Sequence, residues 1–350
     1  MTAAADLEDE TNKLIPMVNL GEKPIFIVGM PRSGTTLLTT ILSAHPHIAI
    51  SPESHFLTYW VPTYRHLKLD DPTEFQQFWQ ALSQSKRFSY FDVAPDITLA
   101  NIMAKGTPSH ASVFAGWMET YAKRCHKSRW GEKTPLHYQH LDQLLEWFPQ
   151  AQVLWMLRDP RAVTASLLRM TWASNYVHIH AEQWHQSTQL YEQIWHSDPR
   201  VKLVRYEDLV QQPEQTLAEV FTFLDEDYPK GVLTQRSEQT IPTVNREGWA
   251  LEHLNQTLQP LDPSAIDSWK QQLWPDHVAI VNNLTNRLQQ RYGYTDSPYP
   301  PLPLRATGLL SLAKLRWKLD RKLLVWRTRL LGPSSRRAQE IGAVATAETV

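Results

Sequence analysis

Residues 24–37 read Pro24-Ile25-Phe26-Ile27-Val28-Gly29-Met30-Pro31-Arg32-Ser33-Gly34-Thr35-Thr36-Leu37, and this stretch decides the fold. Ile25 to Val28 are a continuous apolar run, the pattern of a buried strand. The chain then turns through Gly29 and Gly34 and enters a helix at Thr35 or Thr36. A strand, a glycine-bearing loop and a helix N-terminus form an anion site. Backbone N–H groups point at the ligand, and the helix dipole favours negative charge. The loop is therefore read as a phosphate cradle built by Arg32, Ser33, Gly34, Thr35 and Thr36. A bare turn would not need an arginine, a serine and two threonines together.

The placement of the cation narrows the phosphate. In the nucleotide P-loop, G-x4-G-K-[ST], a lysine follows the second glycine and reaches the β- and γ-phosphates. Gly29 and Gly34 have that spacing, but Thr35 stands where the lysine belongs, and the cation is Arg32 inside the loop. ATP or GTP hydrolysis would lack its usual charge clamp. The run Pro31-Arg32-Ser33-Gly34-Thr35-Thr36 resembles the 5′-phosphosulfate loop of sulfotransferases that use 3′-phosphoadenosine 5′-phosphosulfate (PAPS).

Downstream, Ala44-His45-Pro46 ends the first helix, and His47 to Ile50 form a short strand that delivers Ser51-Pro52-Glu53-Ser54-His55. Ligands of open α/β sheets bind outside the carboxyl ends of strands, which places Glu53 near the phosphate. A carboxylate there is unfavourable unless it has work, such as taking a proton; capping a helix is its other reading. This order of loop, His-Pro, strand and Glu resembles tyrosylprotein and heparan sulfotransferases. The resemblance implies Glu53 as the catalytic base, with His55 second. Lys133, in Arg129-Trp-Gly-Glu-Lys-Thr-Pro135, matches a Lys-x-Pro of tyrosylprotein and related bacterial sulfotransferases. The resemblance places Lys133 at the sulfate; a solvated loop lysine is the alternative.

A second anion site follows the apolar strand Ala151 to Leu157. Arg158 ends that strand, Pro160 opens a helix, and Ser166 stands two turns along. By resemblance, Arg158 and Ser166 hold the 3′-phosphate and Tyr206, in Tyr206-Glu-Asp-Leu209, approaches the adenine. The poorest match is 236–262, where Arg246 is the candidate for the family's Arg-Lys-Gly segment. His178, Glu182 and His185 could meet on a helix starting near Ala181, but zinc prefers compact sets with supporting ligands. No metal is assigned.

The chain has 350 residues, 24 prolines, 14 tryptophans and a net charge of -1, which gives no electrostatic footprint for nucleic acid. Cys125 is the only cysteine, so no intrachain disulfide can form. Met1 to Asn12 carry several acids and no apolar core, unlike a signal peptide, and no run reaches a membrane span. A cytoplasmic location, peripheral to a membrane at most, is expected. Helices are expected from Pro72 to about Leu82, from Pro95 to Ala104, after a Ser109 cap through Arg124, over Leu136–Phe148 and from Pro213 to Leu224.

Beyond Pro298 the character changes. Pro300, Pro301 and Pro303 make a stiff linker. Leu312, Leu315, Leu319, Leu323, Trp326 and Leu330 then recur at helical spacing beside Lys314, Arg316, Lys318, Arg321, Lys322, Arg327 and Arg329. Such a helix suits an anionic membrane surface through 309–331, a partner, or docking on its own domain.

The expected architecture is α/β: a P-loop-like three-layer domain with a central parallel sheet flanked by helices, plus a C-terminal basic amphipathic helix. Its divisions are a flexible leader at 1–20, a sulfotransferase domain at 21–297, and a linker, helix and disordered tail at 298–350. The expected reaction moves a sulfuryl group from PAPS to a hydroxyl or amine of a glycan, lipid, peptide or small molecule. It leaves 3′,5′-adenosine bisphosphate. Glu53, Arg32 and Lys133 are its expected catalytic residues. A nucleotide kinase or NTPase, or a catalytically silent membrane-associated protein, are the alternatives.

Overall fold

A computed structural model describes residues 23–235, 257–295 and 301–331, the last eleven by backbone alone. The leader at 1–20, Arg246 and the tail from Gly332 lie outside the described residues.

Five parallel strands form one sheet: β1 Ile25–Gly29, β2 Ile48–Ser51, β3 Arg129–Glu132, β4 Gln152–Leu157 and β5 Val201–Arg205, in the order β2-β3-β1-β4-β5. The chain moves outward from β1 in one direction and later in the other. Neighbouring loops therefore part at the end of β1, the switch point where doubly wound sheets bind ligands. Period-2 alternation sends Phe26, Val28, Trp130, Val153 and Trp155 to one face. Ile25, Ile27, Ile50, Leu154 and Met156 go to the other. Both faces are buried along β1 and β4, so these two strands read as apolar runs, whereas β3 and the edge strand β5 carry charged residues.

Helix α1, Thr35–Leu42, covers the second face through Leu37, Leu38 and Ile41, beside Leu217, Val220 and Phe221 of the helix Pro213–Phe223. Helix α2, His110–Arg124, covers the first face with Phe114, Trp117 and Tyr121. It starts at the expected cap: Ser109 and Ser112 form a capping box. The helix Pro72–Ser83 is capped by Asp71, which accepts from Thr73 N and Glu74 N, each at 2.9 Å. Further on come α3 (Pro160–Leu167), α4 (Val177–Leu190), α5 (Tyr206–Gln211), α6 (Pro275–Arg291) and α7 (Leu304–Leu331).

Two expectations change, and one element is new. The segment expected as one helix over Leu136–Phe148 opens as a 3-10 turn, Pro135–His140, before Leu141–Trp147 turns α-helical. Its His137 is committed to partners on other segments, which holds the first turn tight. The helix expected near Ala181 begins at Val177, where Val177 and Ala181 pack on Ile280 and Val281 of α6. A widened turn, Phe56–Trp60, was not anticipated. It buries Phe56 and Trp60 in the core and leaves Tyr59 exposed.

Gly29 carries the closest approach in the sheet. Its φ is +134°, and a Cβ there would lie 2.3 Å from the Met156 carbonyl oxygen of β4. Gly29→Ala should therefore cost at least about 2 kcal/mol in strain and lost β1–β4 contact. Denaturant unfolding reads this directly, and an unchanged midpoint would show that β4 yields without penalty.

Candidate active site

The carboxyl ends of all five strands deliver the expected site residues. After β1 comes the loop Met30–Gly34, with Arg32 at φ 72° and Gly34 at φ 96°. Gly34 is the N-cap of α1, and no side chain caps that end among the described residues, which leaves its first N–H groups to a ligand. Gly34 is required for a second reason: a Cβ would strike the Tyr206 ring at 2.5 Å. Ser33 and Thr35 are buried, and the Ser33 hydroxyl has no partner among the described residues.

Arg32 donates its Nε–H to Ser166 Oγ of α3 at 2.9 Å. Sequence reasoning divided these residues between two phosphates; the structure joins them. Burial, followed by the cations Arg158 and Arg169, lowers the Arg32 guanidinium to about 10, with Glu53 opposing. It stays charged at neutral pH, among like charges. Arg158, at the end of β4, donates to the Arg32 carbonyl at 3.3 Å and lies 4.0 Å over the Tyr206 ring. Its Nε is buried with no described partner. The Trp184 indole of α4 donates to the Arg158 carbonyl at 2.8 Å, which steadies the strand end. Tyr206 thus supports Arg158 and Gly34 from below. The Ser33 hydroxyl and the Arg158 Nε–H, beside the Arg32 guanidinium and the open end of α1, are donors of the kind phosphate oxygens accept from, so these residues fit the phosphates of a nucleotide.

Glu53 follows β2. One carboxylate oxygen pairs with Lys133 and the other lies 3.2 Å from His55 Nε2. Burial alone would raise this carboxyl, but Lys133 and the His55 hydrogen bond outweigh it and hold it well below the usual range. The Glu53 side chain is nevertheless 33% exposed, so a reactant can reach it. His55 has φ 51°, and its Nδ1 faces the Thr58 hydroxyl at 3.4 Å. Burial pushes its imidazole below the ordinary value despite Glu53. A neutral ring that gives Nε2–H to Glu53 and takes Thr58 O–H at Nδ1 has no lone pair left for base work. This geometry favours Glu53 over His55 as proton acceptor.

Behind this pair lies a buried network that sequence reasoning missed. Glu132 Oε1 accepts from Ser54 N at 3.0 Å, from Ser54 Oγ at 2.8 Å and from the Thr134 hydroxyl, while Oε2 faces His137 Nδ1 at 3.0 Å. His137 Nε2 accepts from Leu57 N at 3.3 Å, which assigns the proton to Nδ1. Burial would raise the Glu132 carboxyl, but His137 and the hydroxyl bonds bring it below its ordinary value. Glu132 stands directly before Lys133 in the quoted run, so its adjacency was the available signal. His178, Glu182 and His185 form no ligand set: Glu182 pairs with Lys314 at 2.9 Å. The one described group with ligand spacing is His45, His47 and Glu226, away from this site, where Arg129 already pairs with Glu226 at 3.0 Å.

With this geometry in place, the sulfotransferase family model matches residues 24–230, and the chain belongs to the sulfotransferase family. Protein-tyrosine sulfotransferase of Drosophila melanogaster is 25% identical over 79% of this chain and 52% of its own length. The chain thus spans about half of that relative. Nodulation protein NoeE of Sinorhizobium fredii is 24% identical over 78% of this chain and 66% of its own. Among solved structures, the sulfotransferase domain of the Synechococcus PCC 7002 olefin synthase superposes with TM-score 0.57 at 25% identity, covering 78% of this chain and 96% of that one. The sulfotransferase domain of the curacin biosynthetic pathway shares the fold, at TM-score 0.52 and 21% identity, covering 77% and 98%. Membership in this family weighs against the nucleotide-kinase alternative, as does Thr35 in place of the P-loop lysine.

Glu132→Gln should destabilise although it is isosteric. The new amide would set N–H against His137 Nδ1–H, and a tautomer change would then set His137 Nε2–H against Leu57 N–H. One buried group stays unpaired in either case, at a cost of about 1–3 kcal/mol. Thermal or denaturant unfolding measures this, and wild-type stability would show that the network can rearrange.

Proposed function

We propose that this chain transfers a sulfuryl group from PAPS to a hydroxyl or amine of an acceptor, with Glu53 as the general base. The observation that carries this reading is the Glu53 carboxylate, held ionised by Lys133 and His55 yet a third exposed at the end of the sheet. PAPS supplies an activated sulfuryl group on a phosphate leaving group. Glu53 takes the proton of the attacking O–H or N–H. His55 keeps the second carboxylate oxygen oriented. Lys133, Arg32 and the loop amides face the charge that gathers on the transferred group and the leaving oxygen. Arg158 and Ser166 fix the nucleotide, and Arg32, bonded to Ser166, ties the two anion sets into one frame.

A hydroxyl acceptor is favoured by the name that the Drosophila relative carries. Whether it is peptide, glycan, lipid or small alcohol turns on residues 56–128 and 170–195.

Calorimetric titration with 3′,5′-adenosine bisphosphate, beside magnesium-ATP and AMP, tests the donor. Tight binding of the bisphosphate without metal supports the reading; binding of magnesium-ATP alone overturns it. Arg158→Ala should weaken the bisphosphate by about 1.5–3 kcal/mol, the loss of a charged hydrogen bond, while AMP is little affected. Equal losses for both ligands would remove Arg158 from the 3′-phosphate.

Glu53→Gln should lower kcat by about 10²–10⁴-fold and leave bisphosphate affinity unchanged. Because Lys133 and His55 depress the Glu53 carboxyl, it remains ionised as pH falls to the ordinary glutamate value. The acid limb of kcat/KM, which reports the free enzyme, should therefore lie below about pH 4.3. Full activity in the glutamine variant would move the base elsewhere.

A further inference from the structure

Helix α7 has two faces in different surroundings. Ala306 and Leu310 pack among Val177, Ala181, Ile280 and Val281 of α4 and α6. Lys314 pairs with Glu182, Trp317 meets the His178 ring, and the Tyr176 hydroxyl donates to Asp320 at 2.6 Å. These positions recur every three or four residues and form the docked side. Leu312, Leu315 and Leu319 fall on the opposite side and are 65%, 56% and 57% exposed.

Docking on the domain is thus complete without the leucine stripe. The sequence carries the same period on through Leu323, Trp326 and Leu330. Arg316 and Lys318 are exposed, and on the helical wheel they flank the stripe on its two edges. Across 309–331 the basic residues are Lys314, Arg316, Lys318, Arg321, Lys322, Arg327 and Arg329, against Asp320 as the only acid. Among the described residues, no helix is long and apolar enough to cross a membrane.

We propose that the outer face of α7 seats on an anionic lipid surface. The leucines enter the headgroup boundary and the flanking basic residues meet lipid phosphates and carboxylates. Charge complementarity selects this occupant. A second copy of the same face would bring one set of basic residues against another, with a single acid on each side. The docked side holds the domain above the lipid. Through α4, whose Trp184 bonds the Arg158 carbonyl, it gives the surface a fixed relation to the site.

The test is co-sedimentation of the full chain with phosphatidylcholine vesicles, with and without phosphatidylserine. Binding should require the anionic lipid and fall with salt. Arg316→Gln and Lys318→Gln should each lower partitioning by about fivefold. Leu312→Asp, Leu315→Asp and Leu319→Asp combined should abolish it while thermal unfolding stays as in the wild type, since those side chains face solvent. The two basic substitutions keep the test decisive if the triple variant folds poorly. Absent binding, or equal binding to neutral vesicles, would overturn the proposal. So would a wild-type dimer that the leucine variant dissociates without any vesicle binding.

Discussion

The enclosed carboxylate of Glu132 is the constraint on which the candidate site depends. A charge with 1% of its surface exposed survives only if its lone pairs find donors. The donors it finds are Ser54 from the segment after β2, and Thr134 and His137 from the segment after β3. Glu53 and Lys133 are the chain neighbours of Ser54 and Glu132. The buried network therefore sets the distance between base and cation before either meets a reactant. The strained φ of His55 is tolerable for the same reason: its N–H is bonded to Thr134 Oγ1 at 3.3 Å, and Ser54 beside it is locked.

On the other side of β1 the logic is reversed. Glu132 is matched by Ser54, Thr134 and His137, whereas the Ser33 hydroxyl and the Arg158 Nε–H have no described partner. Burial first, and then the nearby Arg158 and Arg169, takes some of the basicity of Arg32, and Arg158 keeps a buried N–H without a described partner. Such an arrangement costs stability unless an anion offsets it. Folding energy from the two-sided apolar sheet, with cores above and below, holds these cations together in advance. In the proposed reaction, this positive field is in place before negative charge grows at the sulfuryl group.

Much of this was legible because it is written in local pattern. Apolar runs marked β1 and β4, Asp71 and Ser109 marked helix starts, and Arg32, Glu53, Lys133 and Arg158 each stand at a strand end where topology concentrates function. What was not legible depends on contacts between distant segments. The bond that brings Arg32 to Ser166 across 134 positions has no local signal at either residue. Glu132 and His137 read as ordinary polar residues until β2 and β3 pair, with Ser51 opposite Glu132. The turn at Phe56–Trp60 depends on a left-handed His55 that no local signal announces.

Helix α7 shows the same limit from the other side. The leucine period identifies an amphipathic helix but does not say which face meets the protein. Hydrophobicity alone would have turned Leu312, Leu315 and Leu319 inward. The docked face is instead chosen by Ala306, small enough for close approach to α6, and by polar partners on α4, on the segment before it and on α6, where Asp276 pairs with Arg305 at 3.0 Å. Glu182 waits for Lys314, and the Tyr176 hydroxyl for Asp320. Turning the leucines inward would trade these pairs for apolar burial and would point Lys314 away from Glu182. The domain's own surface therefore specifies the orientation and leaves the leucine stripe to face outward.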